Sequence, residues 1–192
     1  GETAGVFDYY VMALSWNSTW CAIEGDARGA DQCRDGLGLG WTLHGLWPQY
    51  ETGWPSYCRT SARDPSRSMT RSMSDIMGSG GLAWHQWKKH GRCTGLSAED
   101  YFEASRGAYG SVNRPPVLRK LPEDIKVPVS VVEEAWLQSN PGMSREEITI
   151  TCRDGRIHEA RVCLTKDFEL RRCGSDVIRD CRNEGALLEV IR

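Results

Sequence analysis

The sequence predicts an α+β fold: a central, mainly antiparallel sheet flanked by helices and stapled by disulfides. Three observations predict it. Strand-like and helix-like patterns come in separate runs rather than in strict β-α alternation, which points away from a parallel sheet. Residues 147–152 (E-I-T-I-T-C) alternate apolar and polar and lead into Asp154-Gly155, a hairpin turn pair. Eight cysteines, at 21, 33, 58, 93, 152, 163, 173 and 181, include no C-x-x-C pair. Closely spaced thiolates are what a structural zinc site usually shows, so a disulfide framework formed in an oxidising compartment is the better reading. Spacing alone leaves about a hundred connectivities open.

The elements follow in order. Val6 to Trp16 is rich in aromatic and β-favouring residues and reads as a strand. Residues 24–36 are polar and read as a loop, held by Cys21 and Cys33 if those two pair. Leu37 to Leu46 reads as a second strand with glycines where something packs close, ended by Trp47-Pro48. Residues 48–64 read as a surface loop. Ser66 to Met77 reads as a helix closed by Gly78-Ser79-Gly80-Gly81, and Trp84 to His90 as a short helix stopped by Gly91. Ser97 with Asp100 resembles a capping box that starts a helix to about Tyr109. Ser130 with Glu133 repeats that signal before a helix over Val131 to Ser139, which Asn140-Pro141 stops. Arg156 to Leu164 and Phe168 to Cys173 complete a strand meander.

The chain has 192 residues, 40% of them hydrophobic, which suits a single domain over 1–192. Its net charge is −2. Proteins that hold nucleic acid by charge alone are usually strongly basic, which excludes tight general binding to DNA or RNA but not the handling of a polyanion at one basic patch. No apolar run is long enough to cross a membrane. No signal peptide is visible, so the chain reads as a mature exported protein, secreted or periplasmic. Asn17-Ser18-Thr19 is a glycosylation sequon; a chance match is an equal reading.

Three of the four histidines lie in two tryptophan-rich stretches, T-L-H-G-L-W-P (42–48) and W-H-Q-W-K-K-H-G-R-C (84–93). Imidazole titrates near neutral pH and suits acid–base work. On a helical wheel with His85 at the origin, Lys89 falls near about 40°, Gln86 near about 100° and His90 near about 140°, while Trp84, Trp87 and Gly91 fall opposite. One face thus carries two imidazoles, an ammonium and an amide. An amphipathic surface helix is the plain reading, but two histidines on one face and a third in a Gly-Leu-Trp-Pro context shift the balance to function. Zinc bound by His44, His85, His90 and Cys93 is a second reading, weakened because H-x-x-x-x-H does not align two imidazoles as H-E-x-x-H does. With no evident protein nucleophile and no required metal or cofactor, the residues suit a substrate that brings its own nucleophile. RNA does, in its 2′-hydroxyl; DNA does not. A base takes that proton, an acid protonates the leaving 5′-oxygen, and a cation steadies the phosphorane.

The two stretches resemble the two active-site segments of the ribonuclease T2 family, and T-G-L-S-A-E-D-Y (94–101) is similar to bacterial members. The resemblance implies a monomeric endoribonuclease acting on RNA through a 2′,3′-cyclic phosphate. It makes His44 the general acid, His90 the general base, His85 a phosphate-binding residue and Lys89 the group that stabilises the phosphorane. Trp47 would form part of a base pocket. Gln49, Tyr50 and Arg92 join it as candidate substrate contacts, with Trp54 and Tyr57 as further loop aromatics. The family implies Cys58–Cys93, Cys152–Cys181 and Cys163–Cys173, which leaves Cys21–Cys33. Three departures stand out: Gln86 replaces a usual glutamate, Arg92 a usual threonine, and Gln49 an aspartate that reads the base in some members. Gln86 opens an alternative function, a weakened RNA-binding protein or pseudoenzyme. His158, between charged residues, reads as exposed and without a role.

Overall fold

A computed structural model describes residues 2–192. Strand β1, Tyr9–Trp16, is buried at every position, because it is covered on both edges. β2, Trp41–Gln49, pairs with it antiparallel on one side, and β5, Arg156–Leu164, on the other. β4, Ile148–Arg153, forms a hairpin with the far edge of β5. Both residues of its Asp154-Gly155 turn have positive φ, 51° and 73°, the requirement of a two-residue hairpin loop. A short β3, Ile125–Val127, pairs antiparallel with β6, Ala186–Leu188, and β6 joins β5 in parallel at Arg156. The sheet is mainly antiparallel and the class is α+β, as the separate runs predict.

Two bulges interrupt the ladders. β1 residues Ala13 and Leu14 face Gly45 and Leu43 of β2, so His44 is the extra residue. β4 residues Thr151 and Cys152 face Glu159 and Ile157 of β5, so His158 is the extra one. A bulge re-aims a side chain and bends its strand.

The helices differ in places from the sequence reading. Residues 17–28 are helical through α1, Asn17–Trp20, a π-wound turn over Cys21–Gly25, and α2, Asp26–Arg28, where a loop was expected from residue 24. Asn17 is buried and its side-chain amide donates to the Gln32 carbonyl, so the sequon is packed inside the fold. The helix expected over 66–77 is two pieces, α3, Arg67–Arg71, and α4, Ser74–Met77. The glycines after it do not only close a helix. Ser79 caps α5, Gly80–Lys89, by accepting from Leu82 N–H. α6, Ala98–Gly110, has the predicted cap, with Ser97 accepting from Asp100 N–H. α7, Val129–Ser139, starts after Pro128 without a side-chain cap, so Ser130 lies inside it. Residues 168–173 make only one isolated bridge, Leu164 to Leu170, rather than a strand. β2 continues through Pro48, tolerable because it is an edge strand that needs no ladder donor there.

Helices α4–α7 pack on the sheet around Trp16, Trp41, Trp87, Tyr101, Phe102 and Trp136. Trp16, Trp41 and Trp136 meet edge to face with ring centres 5.0 and 5.5 Å apart, a favourable aromatic geometry. Disulfides join Cys21–Cys33, Cys58–Cys93, Cys152–Cys181 and Cys163–Cys173. Cys58–Cys93 matters most for placement. It pins the loop after β2 to the turn after α5, beside a Tyr57 N–H to Lys89 C=O bond of 2.9 Å.

Replacing Cys58 and Cys93 together by serine is expected to lower the unfolding free energy by about 2–4 kcal/mol, since the bridge closes a loop in the unfolded chain. Urea denaturation checks this; an unchanged midpoint would show that noncovalent contacts alone hold the two segments.

Candidate active site

One cleft of about 670 Å³ gathers His44, Trp47 and Gln49 from β2 and His85, Gln86, Lys89 and His90 from α5 and its C-cap. Ser79 and the C-terminal Lys88 and Lys89 suit both ends of the α5 dipole. The helix turns Trp87 into the core and its other face to the cleft, as the wheel predicts. Gly91 follows because a side chain there would strike Trp87 and Tyr101.

Trp47 lies between the two histidine stretches. His44 meets its ring edge-on at 5.1 Å and His90 stacks on it at 5.2 Å between centres. Its Nε1–H donates to Gln86 Oε1 at 2.7 Å. Gln86 is only 2% exposed. A Cβ on residue 45 would collide with that amide and with Trp47 Nε1, so Gly45 leaves the space in which strand and helix meet.

The two imidazoles have opposite surroundings. His44 Nδ1 lies 2.6 Å from Oε2 of Glu159, a carboxylate 1% exposed on β5. Burial alone would raise that carboxyl's pKa. The His44 charge and hydrogen bond, Arg161 and His158 outweigh burial and hold it far below the usual carboxylate range. His90 is 5% exposed and its Nδ1 is buried without a partner. Burial first, then the charges of Lys89, His44 and His85, push its pKa down to about 3. His85 is lowered as well, by burial and by Lys89, Lys88 and His44.

Other expected contacts fall elsewhere. Arg92 stands outside the cleft. It binds Asp64 at 2.8 Å beside the Trp87 indole N–H on the same oxygen, because the turn after α5 carries it to the core side of the helix. Tyr50 packs against the core and is not part of the cleft wall, while exposed Trp54 is. Cys93 is in a disulfide and offers no thiolate to the zinc arrangement. Sequence reading missed the β5 wall: His158 lines the cleft and is half-buried, Arg161 sits 5.3 Å over the Trp47 ring, and Glu159 lies behind His44. Nothing local flags them, since R-I-H-E-A-R reads as a solvated strand.

A model of the Ribonuclease T2 family matches residues 7–173. A "Ribonuclease" of Aeromonas hydrophila is 47% identical over 100 residues, 52% of this chain and 44% of that protein. A "Probable ribonuclease" of Haemophilus influenzae is 26% identical over 181 residues, 88% of this chain and 61% of that protein. The chain thus spans about half the length of these relatives. Among solved structures, an "RNase-related protein from Calystegia sepium" superposes with a TM-score of 0.71 at 18% identity, over 100% of this chain and 98% of that one. It shares the fold.

The unfolded chain binds a proton at a free imidazole near about 6.5, whereas His90 in the fold does so only near 3. The unfolded state therefore holds more protons between those values, and stability falls as pH drops through that window. The His90 ring is expected to remain neutral at about pH 5 in an NMR titration, and His90→Gln to flatten the acid limb of stability. Half-protonation near 6.5 would contradict the burial argument.

Proposed function

The chain belongs to the ribonuclease T2 family, and from that premise we propose that it is an endoribonuclease cleaving single-stranded RNA by metal-independent transphosphorylation. One observation carries the reading: two imidazoles flank a single indole in one cleft, one held by a buried anion and the other kept neutral among cations.

A neutral His90 is ready to accept the 2′-hydroxyl proton. As that oxygen bonds to phosphorus, charge grows on the phosphoryl oxygens, where Lys89 and His85 supply positive charge and hydrogen bonds. The phosphodiester itself brings a negative charge that raises the proton affinity of His90 in the complex. The P–O5′ bond then breaks as His44 gives its proton to O5′. The product is a 2′,3′-cyclic phosphate. In the second step water takes the place of the departed hydroxyl and the two histidines exchange roles. A base would rest against Trp47, with Gln49 and Trp54 near it in the cleft. DNA lacks the internal nucleophile and is not cleaved.

Four disulfides among the described residues support an oxidising, secreted or periplasmic location. No helix is long and apolar enough to cross a membrane.

The alternative reading, a weakened relative, rests on Gln86. Its amide accepts from Trp47 as a carboxylate would, so the ring is still anchored; what is missing is negative charge and a proton site. His44, Lys89 and His90 all face the cleft, which supports an active enzyme.

In EDTA the protein is expected to release cyclic-phosphate ends from single-stranded RNA, and His90→Ala to abolish them. Undiminished cleavage by His90→Ala would sink the assignment of the base. Gln86→Glu is expected to raise the rate up to about tenfold, the low end of what one polar stabiliser of a transition state contributes. A silent parent restored by Gln86→Glu alone would identify the chain as an inactivated form.

A further inference from the structure

We propose that Glu159 is the positioning residue of His44: its buried carboxylate fixes the imidazole so that Nε2 faces the cleft, and it steadies the charged ring from which the leaving 5′-oxygen takes its proton. The inference rests on the acid role given to His44 under the reading above.

The geometry is complete. Glu159 Oε2 accepts from Ser15 Oγ at 2.9 Å and lies 2.6 Å from His44 Nδ1. Oε1 accepts from Arg161 Nη2 at 2.8 Å and Nε at 3.2 Å. The Glu159 backbone N–H is held by Thr151 Oγ1 at 3.2 Å. An ionised carboxylate only accepts, so the proton between Oε2 and Nδ1 belongs to the ring. That leaves Nε2 as the atom turned to solvent and substrate. When His44 carries a second proton, on Nε2, its charge lies against a buried anion. The transfer is then balanced: the Nε2–H bond breaks, O5′ takes the proton and keeps the electron pair of the broken P–O5′ bond, and Nδ1–H stays on Glu159.

An amide at 159 would keep the volume and an acceptor oxygen of the carboxylate while removing its charge. Buried ionic groups replaced by apolar ones of similar volume often leave stability unchanged or raised. Glu159 lies between His158 and Ala160, on the same face of β5 as Arg161, with Ser15 of β1 and Thr151 of β4 as its cross-strand partners. Both bulges of the sheet converge here, one delivering His44 and the other ending at Glu159. The same role is played by the carboxylate behind the histidine in serine proteases, where replacing acid by amide leaves the geometry and loses rate. The titratable and charged groups sharing this space with His44 are Glu159, His158 and Arg161 from β5, Arg153 from β4, Asp176 and Arg179 from the C-terminal segment, and His85, Lys89 and His90 from α5 and its C-cap.

The test compares two substrates. A dinucleoside phosphate expels an alkoxide and needs a proton donor; a nucleoside 3′-(4-nitrophenyl phosphate) expels a phenolate and does not. Glu159→Gln is expected to lower kcat on the dinucleoside phosphate roughly a hundredfold, with KM little changed and the nitrophenyl ester nearly unaffected. Equal losses on both substrates would leave Glu159 a structural residue and overturn the proposal. His44→Ala is the control: if it shows no such split, the acid role itself fails, whereas a split in His44→Ala without one in Glu159→Gln removes only this inference. Should Glu159→Gln fail to fold, the ¹⁵N spectrum of the unaltered protein decides. A neutral His44 protonated at Nδ1 supports the proposal, and one protonated at Nε2 contradicts it.

Discussion

The hydrogen bond from Trp47 Nε1 to Gln86 Oε1 ties the edge strand of the sheet to helix α5, and the cleft depends on it. Both partners are polar atoms at a largely dry contact, where a lone donor costs about 1–3 kcal/mol. Each therefore requires the other. With the indole fixed, His44 lies against its edge and His90 against its face. The separation of the two imidazoles is thereby set by the width of one aromatic ring. Gly45 is part of the same constraint, because any side chain at 45 would hold strand and helix apart.

The glutamine in W-H-Q-W acquires a specific meaning from this contact. Its placement requires an acceptor of the right length at that point on α5, and an amide supplies one without charge. A carboxylate would supply the same acceptor and add an anion near Lys89 and His85. Substitution at 86 thus separates two contributions that a glutamate combines: anchoring the tryptophan, which the amide retains, and tuning the field in the cleft, which it does not.

Much of the α5 side was legible in the sequence, because a 3.6-residue period sorts His85, Gln86, Lys89 and His90 from Trp87 without knowledge of anything beyond the helix. β5 was legible in its bounds, since Asp154-Gly155 marks its start. Its function was not. A strand's faces alternate strictly, and the bulge at His158 shifts that alternation by one, so H-E-A-R gives no sign of which residue faces inward. Burial of Glu159 is decided by β1 and β4 on either side, long-range partners that no local pattern contains. Pro48 misled in the opposite direction, as it ends a central strand but not an edge one. Arg92 resembled a phosphate ligand only while the direction of the turn after α5 was unknown. β3 and β6 were invisible because three-residue strands carry no period.

The unlike environments of His44 and His90 follow from which element each one faces. α5 ends in lysines that complement its dipole, and burial, followed by the charge of Lys89, disfavours a proton on His90. β5 has no net dipole of comparable size, and it brings a buried carboxylate to His44 instead. Lys89 and His85 thus stand on the helix side of the cleft, while the sheet side carries the buried Glu159 anion together with Arg161 and His158. In the proposed reaction His90 takes up a proton at the helix wall and His44 gives one up at the sheet wall, so the negative charge of the substrate phosphate is what favours the proton on His90. Two chemically identical side chains thus acquire unlike surroundings from the fold, and the bulge that places His44 within reach of Glu159 is the feature of the sheet that makes the difference.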